Sequence, residues 1–136
     1  MKQKIYLASR IILGIIFLVF GANGLMMVLT GTGFIPTPPP KPEVMEIMGG
    51  FFKIGYLMPL VKSLQIIAGI LLLWGRFINL AITLLAPIIV NILCVHLFIE
   101  LDGLPMAIFI VVLFSILISN QWNDLKIILK KSPSIK

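Results

Sequence analysis

The 136-residue chain is 60% hydrophobic and 12% charged, with a mean hydropathy of +1.13, against about 25% charged residues in ordinary soluble domains. That composition excludes a water-soluble globular domain, and four membrane spans of about 20 residues would leave no length for a separate catalytic domain. The net charge of +6 comes from scattered basic residues flanking apolar runs, a pattern of membrane orientation rather than of nucleic-acid binding.

The opening MKQKIYLASRIILGIIFLVFGANGLM has a basic lead and an apolar run, as a cleaved signal peptide does. Arg10 stands where a signal core would begin, and no small-x-small site ends the run, so a retained span over about residues 5–28 is expected. At about 100° per residue, Arg10, Gly14, Phe17, Gly21 and Gly24 share a face of little bulk, which predicts packing against another helix. Arg10 is expected to snorkel toward lipid phosphates. GTGFIPTPPPKPEV then forms a loop, since its glycines and prolines sustain neither helix nor sheet.

Over about residues 42–55, Val44, Ile47, Met48 and Phe51 recur at helical spacing opposite Glu43, Glu46 and Lys53, which predicts a short interfacial amphipathic helix weakened by Gly49 and Gly50. It reads as a connector that shields helix ends, with a mobile lid as the alternative. The second span, about 57–74, brings Lys62, Gln65 and Gly69 onto one face. Trp74, Gly75 and Arg76 turn the chain abruptly into a third span over about 77–99, whose Pro87 removes the amide that would bond the Thr83 carbonyl. An acidic turn with Glu100 and Asp102 precedes a fourth span over about 104–121, interrupted by Ser115, and a basic tail is expected to rest on the anionic leaflet. The fold class is therefore all-α: a single domain over residues 1–136, an integral membrane four-helix bundle with the interfacial segment between its first two helices.

Four spans put both termini and the Arg76 turn on one side, with eight of the eleven basic residues, and leave four of the five acids on the other. The positive-inside rule makes the termini cytoplasmic, in a cytoplasmic (inner) membrane. Asn23, Lys62, Gln65, Asn91, His96 and Glu100 then all fall in the outer half, and these are the ligand-pocket candidates. His96 and Glu100 are four apart and share a face, so they can bond each other or pair with Lys62. Asn91 and His96 point about 140° apart and are expected to enter two different seams. An imidazole suits a proton carrier or a donor to a quinone-like carbonyl, and also a structural bridge between helices. Asn23, Gln65 and Asn91 serve equally as glue between helices; Cys94 reads as a small apolar filler. One cysteine and one histidine exclude an internal disulfide, a multi-histidine metal site and a bis-histidine haem within the chain, so no metal is expected.

Together, RIILGIIFLVFGANGLM and GYLMPLVKSLQIIAGILLLWGRFINLAITLLAPIIVNILCVHLF resemble the DoxX family of small four-helix membrane proteins, from Arg10 to Glu100 and onward through the last span. The specific pieces are the LLLWGRF turn and APIIVNIL followed by HLF, with Pro87, Asn91 and His96 in matching places. The resemblance implies a bundle in the cytoplasmic membrane associated with quinol oxidation, sulfur metabolism or redox-stress complexes; it assigns no catalytic residue. Three functions follow: an accessory or anchor subunit of a membrane oxidoreductase assembly, a self-contained quinone- or lipid-binding pocket beneath the proline loop, and a small transporter. The lipid bilayer is the certain partner. A protein partner in a redox complex and self-association are left open, as is catalysis, and no cofactor is required, quinone being the one the chemistry would accept. A transporter needs a continuous polar path, and the inner half offers little beyond Asn79 and Ser115.

Overall fold

The computed structural model describes residues 1–130, whose regular elements are all helical, with no strand among them. The helices are α1 (Lys2–Thr30), α2 (Pro42–Lys53), α3 (Leu57–Trp74), α4 (Ile78–Phe98) and α5 (Leu104–Leu125), with 3-10 turns at Leu101–Gly103 and Lys126–Leu129. The helices α1, α3 and α4 and the stretch containing α5 are each long and apolar enough to cross a membrane. The last part of the expected basic tail, residues 131–136, lies outside the described residues.

Glycine sets two of the stops. Gly31 and Gly75 take the left-handed conformation (φ 82° and 76°) and return their amides to the carbonyls of Met27 and Leu71, a helix ending open to glycine at no steric cost. Thr30 helps carry α1 beyond the expected residue 28, its hydroxyl donating to the Met26 carbonyl at 2.9 Å. After Gly75 the chain reverses through Phe77, a non-glycine residue also at positive φ (55°). Trp74 meets Phe77 edge-on, and the Arg76 guanidinium lies 5.6 Å from the Trp74 ring centre, contacts that offset part of the left-handed cost.

The predicted small face of α1 packs on α3 in antiparallel register. A Cβ placed on Gly14 would meet Leu73, one on Gly21 would meet Ile66, and one on Gly24 would meet Lys62. At Gly69 the obstruction is the α1 backbone itself, with Leu18 N 2.8 Å and Gly14 O 2.9 Å away, so missing side chains let the two backbones touch. Arg10 does not simply extend to the surface: half-buried, its guanidinium lies against Gly75 in the α3–α4 turn. The helices α4 and α5 are also antiparallel, with Asn79 donating to Asp124 at one end (3.5 Å) and the His96 ring close against Gly103, the residue before α5, at the other. Leu13 and Phe17 of α1, Leu72 of α3, Leu85 of α4 and Leu117 of α5 are the largest fully enclosed side chains, so all four long helices feed one apolar core.

One end of the molecule thus gathers the N-terminus, the α3–α4 turn and the end of α5, where Gln121 donates to the Tyr6 hydroxyl at 2.8 Å. The other end carries the proline loop, α2 and the Leu101–Gly103 turn. Here Asn23, 7% exposed, accepts the Ile35 amide at 2.8 Å and ties the loop to α1. Asn23→Leu leaves that part-buried amide without its acceptor, a loss of about 1–3 kcal/mol. It should appear as a lower melting temperature in detergent and faster amide exchange at Ile35; unchanged exchange there would mean the tie does not hold the loop.

Candidate functional site

The polar residues of the long helices fall into two groups. Thr83 donates to the Asn79 carbonyl, Ser115 to Val111, Ser119 to Ser115 and Asn120 to Ile116, each within its own helix at 2.8–3.2 Å. Such side chains carry their own acceptors and need no neighbour. Thr83 therefore spends its single hydroxyl proton on Asn79, not on the carbonyl that Pro87 leaves free. Lys62 and Gln65 are different. Lys62 belongs to no ion pair among the described residues, and Gln65, 4% exposed, has a carboxamide oxygen with no hydrogen-bond partner. A buried polar atom without a partner costs about 1–3 kcal/mol and calls for an explanation.

Both residues line a cavity of about 580 Å³ between α3 and α4, within the range of small-molecule sites. Asn91, His96 and Glu100 line it too, so five of the six candidates meet in one place. Asn91 and His96 do not enter separate seams, as their angular separation on α4 suggested. The cavity is wide enough to wrap that helix face, because α2 covers it on one side and α3 on another. Asn23 is the exception: it lies outside the lining and acts on the loop.

The roof is α2 rather than the proline loop. Met48 and Phe51 reach into the lining and Val44, one turn earlier on the same face, is buried, while Met45, Ile47 and Phe52 remain exposed. The sequence favours a connector over a lid for α2; with Met48 and Phe51 in the lining it is part of the site. The missed lining residues are apolar, among them Val61, Leu64, Ile88 and Ile92. Only their spacing on the Lys62 and Asn91 faces could have marked them, and core residues share that spacing.

The His96 ring is fixed from two sides. Its Nδ1 lies 2.9 Å from the Glu100 backbone carbonyl, and the ring, Cε1 foremost, lies so close to Gly103 that a Cβ there would overlap it. A carbonyl only accepts, so Nδ1 carries the proton and Nε2 is the acceptor of the neutral ring. The Glu100 carboxylate stands farther off, 3.9 Å from Nδ1, and His96 forms no pair with Lys62. As a neutral group His96 can take a hydrogen bond from a ligand hydroxyl; it becomes a donor through Nε2 only as the imidazolium.

The acidic turn is more than a solvated link. Asp102 pairs with Lys41, the residue before α2, at 2.8 Å, and the carboxylate beside it raises the Lys41 pKa above its ordinary 10.5. Both partners are well exposed, so the pair positions α2 and contributes little stability. Cys94 is exposed on α4, not an interior filler. Among the described residues no three His, Cys, Asp or Glu side chains gather as a metal site would require. No protein-family model, curated protein sequence or solved structure matches the chain.

Proposed function

We propose that this chain is a multi-pass protein of the cytoplasmic membrane, both termini cytoplasmic, whose four long helices form a bundle that holds one amphiphile, a quinone or a lipid, in its outer half. In this arrangement α2 lies in the outer interface with Met45, Ile47 and Phe52 toward lipid, and closes the cavity between α3 and α4. The observation that carries the proposal is the convergence of Lys62, Gln65, Asn91, His96 and Glu100 on a cavity whose remaining lining is apolar: a polar head and a hydrocarbon body are what that surface complements. A membership in the DoxX family accords with it, since Asn91 and His96, the best-matched positions of the resemblance, both face the cavity. A subunit holding such a ligand could serve an oxidoreductase assembly. Transport is disfavoured because Thr83, Ser115, Ser119 and Asn120 are bonded within their own helices and offer no polar path.

Purification in mild detergent, followed by native mass spectrometry and an absorption spectrum, tests the proposal. A bound amphiphile is expected in the wild type, lost in Val61→Trp, which fills the cavity, and depleted in His96→Ala. A co-purifying enzyme with an empty cavity would return the protein to the accessory role. An amphiphile retained at full occupancy by Val61→Trp would place it elsewhere.

A further inference from the structure

The polar lining of the cavity changes with depth. His96 lies about 3 Å of helix rise from the end of α4 and Glu100 just beyond it, so these two form a rim at the α2 end. Lys62, Asn91 and Gln65 lie deeper, at about 8–12 Å from the same helix ends. That inner tier holds an ammonium and two carboxamides and no carboxylate. Lys62 is half-buried, with its side chain drawn over Gly24 of α1, where the missing Cβ leaves room for it. Glu100, the single acid in the lining, stands beside His96, more than 4.0 Å from the ammonium. Around the tier, Val61, Leu64, Ile88 and Ile92 supply hydrocarbon.

An ammonium among apolar walls is costly until an opposite charge joins it. A neutral head leaves it unmatched. We propose that the ligand of this cavity carries an anionic head, a carboxylate or a phosphate ester, held by Lys62 with the amide N–H group of Asn91, and that its hydrocarbon tail lies along α3 and α4. The rim then has its own part: Glu100 repels an anion left at the mouth, and so favours the deeper seat. The assignment rests on the pocket proposed above and narrows it from amphiphiles in general to acidic ones.

The test uses the full chain in nanodiscs of zwitterionic lipid, with 11-(dansylamino)undecanoic acid and its methyl ester as probes of equal tail and different charge. The acid is expected to bind at least about tenfold more tightly than the ester, less than an enclosed charge pair commands because Lys62 is only half-buried. Lys62→Met should abolish that preference, acid and ester then binding alike, and Lys62→Arg should keep it. Displacement of the acid probe by oleate identifies a free fatty acid as the natural chemistry; displacement by phosphatidylglycerol identifies a phospholipid; either supports an anionic head. Equal binding of acid and ester, or a preference that survives in Lys62→Met, overturns the head-group assignment and leaves the pocket standing. Probes that fail to bind the wild type, or bind Val61→Trp equally well, overturn the pocket and the assignment with it.

Discussion

Gly69→Ala is expected to lower the melting temperature of the detergent-solubilised protein, even though alanine is the better helix former. The gain in helix propensity is about 0.8–1 kcal/mol. Against it, the new methyl falls 2.8 Å from Leu18 N and 2.9 Å from the Gly14 carbonyl oxygen. Both are backbone atoms of α1, which cannot rotate aside as a side chain can, so α1 and α3 must separate along their whole crossing. Overpacking costs of about 1–3 kcal/mol, more where backbone must move, leave a net loss of about 1–2 kcal/mol. Gly14→Ala meets the movable Leu73 side chain first, with the Gly69 carbonyl at 3.2 Å, and should lose less. Gly49→Ala in α2 has nothing within 4 Å of its Cβ and should raise the helicity of α2 with no loss. The expected order of melting temperature is Gly49→Ala at or above the wild type, then Gly14→Ala, then Gly69→Ala. A Gly69→Ala protein as stable as the wild type would mean that backbone contact does not set the spacing of these helices.

The same glycines show how far the fold could be read beforehand. The face of Arg10, Gly14, Phe17, Gly21 and Gly24 follows from helical periodicity alone, and every one of the positions packs inward because a stripe without bulk can approach another backbone. The end of α1 was read less closely: the apolar run stops the helix at about residue 28, and the left-handed Gly31 ends it two residues later. What periodicity cannot supply is the third dimension around α4. Asn91 and His96 diverge on that helix, and only the placement of α2 and α3 on either side makes their surroundings one cavity. Asn23 shares their depth and chemistry, yet Ile35 captures it through a backbone amide, a partner that hydropathy does not mark. Gly103, the seat of the His96 ring, was invisible for the same reason: in the sequence it is one more glycine in a turn.

That seat gives the second large effect. Gly103→Ala is expected to dislodge the imidazole. The backbone at Gly103 (φ −86°, ψ −3°) accepts alanine without strain, so the whole consequence is steric: the added methyl overlaps the His96 ring. The ring must rotate, and with it goes the Nδ1–H bond to the Glu100 carbonyl, worth about 0.5–1.5 kcal/mol. Repacking adds about 1–3 kcal/mol, so the melting temperature should fall. A lower melting temperature alone would not separate a positioned imidazole from a merely packed one; the tautomer does. His96 is the single histidine of the chain, so a protein labelled with ¹⁵N-histidine shows one imidazole. In the wild type its proton belongs on Nδ1; in Gly103→Ala the Nε2–H form should appear or dominate, turning the ring's free acceptor into a donor. A ligand hydroxyl that bonds Nε2 in the wild type then faces a donor, and its binding weakens while Lys62 is untouched. An unchanged Nδ1–H spectrum in Gly103→Ala would mean that the turn does not hold the ring, and that His96 keeps its acceptor toward the cavity by some other contact.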